Sequence, residues 1–207
     1  GERDGGAVVS GTATRMPARE AEQVANRFAA LITGCCEQLV IAGSLRRMRP
    51  EVGDIEICAV PQVVDRPTGL FAEITESLNL LDEILGRMER EGDISRRAAG
   101  ESQRTAWGPY YKRLSFEDYP FDLFTPEAPR FGLILTIRTG PAAWSHQLVT
   151  PRGTKTRDGR DGLMPPYLRV QDGWLTERTS GRRIPTPTER DVFDHMQLRW
   201  LEPEDRQ

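Results

Sequence analysis

The chain has 207 residues, 29% of them charged, with a net charge of −3 and a mean hydropathy of −0.52. That describes a soluble globular protein long enough for a real core, in one domain or two small lobes. No apolar run approaches the roughly twenty residues of a membrane helix, and the acidic balance argues against coating nucleic acid by bulk electrostatics.

Residues 1–15 are rich in Gly, Thr and Ala with no apolar period and read as a flexible leader, with Met16 a candidate natural start. Pro17 then opens a helix whose Ala21, Val24, Phe28, Leu31 and Ile32 fall on one face, and Gly34 ends it. Leu39 to Ala42 reads as a short buried strand, followed by a Gly43-Ser44 turn, a run of arginines, and a strand from Asp54 to Val60. The spacing of Ile74, Leu78, Leu81 and Leu85 predicts an amphipathic helix from about Phe71 to Met88 with an acidic outer face. Ile94 to Arg97, Thr105 to Trp107, Tyr111 to Phe116 and the "YPFDLF" at 119–124 read as strands of one sheet. Phe131 to Ile137 is apolar enough for a buried helix, "RTG" breaks it, and Ala142 to Val149 is helical again. Residues 150–187 predict loops with a small hairpin, and the Thr188 hydroxyl caps a last helix. The expected class is α+β, a mixed sheet flanked by helices.

Cys35, Cys36 and Cys58 lack metal spacing and suit a reduced intracellular compartment, cytoplasmic or nucleoid-associated. His146 and His195 are too few and scattered for zinc, so any metal would be held by oxygen, which suits Mg2+ or Mn2+. The stretch from Arg152 to Arg183 holds eight Lys or Arg against four Asp or Glu, whereas Asp65 to Asp93 holds three against eight. The molecule is polarised, with a C-terminal segment that could track phosphates. On charge alone the plainer reading of that segment is a solvated loop. Trp107, Trp174 and Trp200 likewise read as core or rim aromatics rather than stacking platforms.

The stretch "AGSLRRMRPEVGDIEI" at 42–57 concentrates chemistry. An Asp-x-Glu on a strand is usually a solvated face, but Asp54 and Glu56 open the apolar run Ile55, Ile57, Cys58, Ala59, Val60. Carboxylates in a buried strand are costly unless they hold a cation. Asp122 sits in the same kind of apolar strand. Three such carboxylates on adjacent strands can hold two divalent ions, one activating a hydroxyl and the other carrying a triphosphate. Gly43-Ser44 offers amides and a hydroxyl at a tight turn, and Arg46 and Arg47 offer guanidinium forks for phosphate oxygens.

Gly43-Ser44, then Arg46-Arg47, then Gly53-Asp54-Ile55-Glu56 resembles the signature of the DNA polymerase beta superfamily of nucleotidyltransferases, and the double arginine resembles family X polymerases in particular. The likeness runs on through Asp122 and the "IRTG" at 137–140 to the C-terminal "PTPTERDVFDHMQLRWLEPEDR". It implies a nucleotidyltransferase palm at 16–130 and a small α+β thumb at 131–207. Asp54, Glu56 and Asp122 would be the catalytic metal ligands for two Mg2+ or Mn2+ ions, with Asp122 also the base near a primer 3′ hydroxyl. Gly43, Ser44, Arg47 and Gly53 would hold the beta and gamma phosphates. Thr139 and Gly140 would form the floor under the sugar, and the helix carrying Trp144, Ser145 and His146 would line the nascent pair. Arg19 would bind phosphate, and Arg152, Lys155 and Arg157 would bind DNA.

The sequence departs from the family's pattern in three places. Nothing before the palm resembles a lyase domain or helix-hairpin-helix fingers, so lyase chemistry is not implied. Ile137-Arg138 stands where an aromatic pair is expected, which touches sugar selection, and the second carboxylate is Glu56 rather than Asp. The implied function is a monomeric DNA-directed DNA polymerase of family X acting on primer-template or gapped duplex with nucleoside triphosphates, in gap filling or repair, and away from membranes. The alternatives are a template-independent nucleotidyltransferase acting on RNA, protein or a small molecule, and a non-catalytic DNA-end-binding module.

Overall fold

The computed structural model describes residues 15–68, 74–98 and 105–206. The leader read at 1–15 lies outside these residues except for Arg15, as does Phe71.

The two-residue strand β1 (Met16–Pro17) leads into helix α1 (Ala18–Ile32), which buries Ala21, Val24, Ala25, Phe28 and Ile32. Leu31, expected on that face, is 53% exposed. It falls at the margin of the stripe that Phe28 and Ile32 centre. The helix ends in a 3-10 turn at Thr33–Cys35, from which strand β2 (Cys36–Ile41) starts earlier than Leu39. Being an edge strand, β2 is only half buried. Helical turn α2 (Gly43–Arg46), strand β3 (Glu51–Val52), which pairs with β1, and strand β4 (Ile55–Pro61) follow.

The chain then forms an antiparallel hairpin of β5 (Val63–Thr68) and β6 (Ile74–Asn79) before helix α3 (Leu80–Glu91). This corrects the single helix expected from about Phe71 to Met88. Leu78 happens to sit in phase with Leu81 and Leu85, so an apolar 3.6-residue period runs backward across a boundary that it cannot see. Asn79 marks that boundary, its side-chain oxygen accepting from the Asp82 N–H at 3.1 Å, and Gly92 closes the helix in the left-handed region.

Strands β7 (Ile94–Arg96), β8 (Tyr111–Phe116) and β9 (Tyr119–Phe124) complete a five-stranded mixed sheet in the order β2-β4-β9-β8-β7, with β4 and β9 parallel. Thr105 and Trp107 contribute only single bridges, to Ala98 and Lys112. One sheet face packs Ile55, Ile57, Leu114, Phe121 and Leu123 against α1 and α3. The other packs Cys58, Val60 and Phe124 against Phe131 and Leu135 of helix α4 (Phe131–Thr139). Strand β4 is therefore covered on both sides, which explains its continuous apolar run.

Beyond α4, helix α5 (Ala142–Val149) matches its predicted bounds. In place of one hairpin the following segment forms three antiparallel strands, β10 (Leu168–Gln171), β11 (Trp174–Glu177) and β12 (Arg183–Ile184). Thr188 caps helix α6 (Glu189–His195) through a reciprocal capping box with Asp191. Leu133, Trp144, Leu148, Leu168, Leu175 and Phe193 make a second core. Helix α4 faces both cores, and Gly132 lets the chain before α6 approach it, since a β-carbon there would collide with the Thr188 carbonyl.

Candidate active site

Asp54 sits in the bend before β4, Glu56 is the second residue of that strand, and Asp122 is Glu56's register partner on β9. Burial, then the Asp122 charge, pushes Asp54 up from the usual carboxylate range, against Arg113 and Arg97. Burial, then the Asp54 charge, pushes Glu56 up to about 7, with Arg138 and Arg47 opposing. Asp122 is held by β8: Arg113, its cross-strand partner, donates from Nε to Oδ1 at 2.9 Å, and the Tyr111 side chain lies near enough to feel the Asp122 charge. Burial, chiefly, raises Tyr111 to about 12.

Glu56 turns toward the glycine turn. A β-carbon at Gly43, whose φ is +64°, would run into Glu56 Oε2, so only glycine fits beneath this carboxylate. Asp54 and Glu56, but not Asp122, line a cleft of about 870 Å3 that gathers Ser44, Arg47, Gly53, Gly140, Ser145 and His146. Arg15 and Arg49 line it as well. The Arg47 guanidinium donates to the Thr139 carbonyl, while its Nε is buried with no partner among the described residues. Burial lowers the Arg47 pKa, so a facing anion is the partner that suits it.

Other expected residues are placed elsewhere. Thr139 is fully buried behind the cleft, gripping Arg46 through its hydroxyl at 2.7 Å. Arg46 itself turns away from the cleft to Glu189. Trp144 belongs to the second core, leaving Ser145 and His146 of the three expected residues to line the cleft, together with Ala142 at the start of α5. Arg19 is exposed on the first turn of α1 and does not line the cleft. Arg152 donates to the carbonyls of Leu163 at 3.0 Å and Met196 at 2.5 Å, stapling the C-terminal lobe together. Lys155 pairs with Asp161 at 2.7 Å on a tight turn, and Arg157 is exposed at its tip. Gln147 of α5 donates to the Asp161 carbonyl, which seats this turn beside the cleft helix.

Sequence reasoning missed Arg113, Tyr111, Arg97, Arg15 and Arg49. A usable signal existed for two of them: Tyr111 and Arg113 are two apart in an apolar strand and so share one face, the face of Asp122.

As posed, the three carboxylates do not close on one point, and among the described residues no group of three His, Cys, Asp or Glu side chains does so. Glu56 leans on Gly43 and Asp122 is occupied by Arg113. The donor chemistry still fits a hard divalent cation, because every donor is oxygen and added positive charge relieves the raised Asp54 and Glu56. Rotation of Glu56 off Gly43 and release of Asp122 by Arg113 are the changes that would turn the set inward.

A mixed sheet carrying these carboxylates at adjoining parallel strands, flanked by helices and followed by a small lobe with its own core, makes an α+β fold. Comparison with known proteins found similarities of two kinds. The family model described as DNA polymerase beta thumb matches residues 160–207. DNA polymerase lambda of Rattus norvegicus is 25% identical over 199 residues, 93% of this chain and 33% of that relative. The chain is thus similar to family X polymerases in these respects, and it spans about a third of the length of this curated relative. Among the described residues no helix is long and apolar enough to cross a membrane.

Proposed function

We propose that the chain is a DNA-directed DNA polymerase of the family X type, adding nucleotides to a primer 3′ hydroxyl in gap filling or repair, with residues 16–130 as palm and 131–207 as thumb. The observation that carries this reading is that Asp54 and Glu56, with Asp122 as the register partner of Glu56, stand at a cleft beside Arg47, whose Nε is buried with no partner among the described residues. Asp54, Glu56 and Asp122 would hold two Mg2+ or Mn2+ ions, which supply charge to acidify the attacking hydroxyl and neutralise the triphosphate.

The chain's own residues do the rest. Ser44 and Arg47 bind the phosphates, with Gly53 giving the backbone room to approach them. Gly140, Ser145 and His146 orient the sugar and base. Asp122, its Oδ1 steadied by Arg113, accepts the proton of the 3′ hydroxyl. Lys155 and Arg157, on the turn beside α5, meet the duplex backbone.

Primer extension tests this directly: a labelled primer with and without template, on gapped and open duplexes, with Mg2+ or Mn2+. Template-dependent addition by the wild type and its loss in D54N and D122N, both still folded, are expected. Undiminished turnover in either variant would sink the site assignment. Addition indifferent to template would favour the template-independent alternative.

A further inference from the structure

Two adjoining concavities lie apart from the cleft of the candidate active site, on the far side of Arg138. One, of about 460 Å3, is walled by Tyr110, Tyr111, Phe124 and Ile134, room enough for a nucleobase and its sugar. The other, of about 170 Å3, is polar, with Arg169, Gln171, Thr176 and Arg183 around it. Asp172 borders both, so they form one strip from the palm strand β8 to the thumb sheet.

The strip has a built interior. Tyr110 is 50% exposed, while the Arg130 guanidinium lies 4.1 Å from its ring centroid, backing the ring. Arg130 is itself 5% exposed and donates to the Asp172 carbonyl at 2.7 Å. Gly173, with φ +75°, permits that closure, because a β-carbon there would come 2.8 Å from the Arg130 guanidinium. Trp174 follows, flanked by Arg130 and by the exposed Arg183 at 5.2 Å. Aromatic ring and guanidinium thus alternate from Tyr110 to Arg183. Arg169 adds an Nε that is buried with no partner among the described residues.

Four arginines and a single aspartate line the two concavities together, which calls for a polyanion. An aromatic platform beside a basic cup calls for a polyanion with flat rings. Paired bases are turned into a duplex and cannot reach a side pocket of this width, so the rings must be unpaired. We propose that this strip binds single-stranded nucleic acid, one base stacking on Tyr110 in the apolar pocket and the adjoining phosphate meeting Arg169 and Arg183. The proposal takes nucleic acid as the partner from the polymerase reading but does not need catalysis.

Fluorescence anisotropy of a labelled eight-residue oligothymidylate with the full chain tests it, across a salt series. Y110L keeps the bulk that Arg130 packs on and removes the π face. R183Q removes an exposed charge that only overlies Trp174. Each is expected to weaken binding about tenfold, in line with one base's stacking or one phosphate contact. R183Q is expected to lower the slope of log affinity against log salt by about 0.7, and both variants should still extend a primer across a one-nucleotide gap.

Wild-type affinity in both variants overturns the strip. So does displacement of the oligonucleotide by a blunt eight-base-pair duplex or by polyglutamate as readily as by the unlabelled single strand. Primer extension is read separately. An inactive wild type whose oligonucleotide binding falls in Y110L and R183Q refutes the polymerase reading and upholds the strip. An active enzyme whose binding is unmoved by both does the reverse.

Discussion

Removing Glu189 strikes a buried ion network that joins α2 to the C-terminal lobe. Its carboxylate accepts from Arg46 of α2 at 2.6 Å and from Arg206 at 2.6 Å. Arg206 is fully buried, its guanidinium 5.6, 5.2 and 5.3 Å from the ring centroids of Trp144, Phe193 and Trp200. Glu189→Gln takes away the counter-charge and leaves a cation with no access to water. Breaking a buried pair from one side costs about 3–5 kcal/mol, which for a chain of this size lowers Tm by roughly 10 °C. Circular-dichroism melts of the wild type, E189Q and the double variant E189L/R206L measure it, and the double variant should lose less than E189Q because no charge is left unpaired. The gap should also depend on pH. Burial pushes the Glu189 carboxyl up, but the hydrogen bonds from Arg46 and Arg206 outweigh it and hold the group below its ordinary value. The stability it contributes is therefore complete above the unfolded carboxylate value of about 4.3 and drains away as pH falls through the lower folded value. E189Q melting within 2 °C of the wild type at pH 7 would refute the reasoning.

Three further expectations follow from the site. Glu56, raised to about 7, contributes stability that is full below pH 4.5 and lost as pH climbs through 7, so E56Q should melt several degrees above the metal-free wild type at pH 8, a gap worth about 3 kcal/mol; the same gap at pH 5 would count against the burial of that charge. Gly43→Ala places a side chain in the left-handed region and displaces Glu56, so about 1–2 kcal/mol of stability and at least a tenfold share of turnover should go together, while a fully active G43A would mean that Glu56 is not used where it stands. Ile137 and Arg138 replace the expected aromatic pair, and Arg138 lies 4.1 Å over the Phe124 ring; single-turnover insertion should show only modest preference for dNTP over rNTP, and a preference above roughly a thousandfold, about 4 kcal/mol, would make the identity of these side chains irrelevant.

Residues 42–57 could be read almost whole from the sequence, because their chemistry and their place in the chain coincide: a glycine that only a tight turn requires, arginines, and carboxylates opening an apolar strand. Thr188 and the bounds of α5 were legible for the same local reason. What depended on register was not. Arg113 and Tyr111 matter because β8 lies beside β9 in one alignment, and a shift of one residue would face them to the opposite side. Arg46 and Arg47 are neighbours with matching chemistry, yet α2 aims one at Glu189 and leaves the other in the cleft. Arg152 resembled a phosphate-binding residue in composition alone, since nothing in its neighbours announces that carbonyls from Leu163 and Met196 will enclose it. The helix–strand error at Asn79 arose because apolar periodicity persists through a cap.

The cysteines give the molecule a practical property. Cys58 is wholly buried in β4, and burial pushes its thiol far up, out of the reactive range. Cys36 donates to the Ile32 carbonyl and is raised to about 11. Cys35 alone remains partly open to solvent without such a bond, in the 3-10 turn just before β2, so that the six-residue strand, roughly 20 Å long, separates it from the Gly43 end. A maleimide dye added to the unmodified protein should therefore couple at one position, giving a fluorophore fixed beside the five-stranded sheet that can report a ligand arriving at the cleft without any engineered residue.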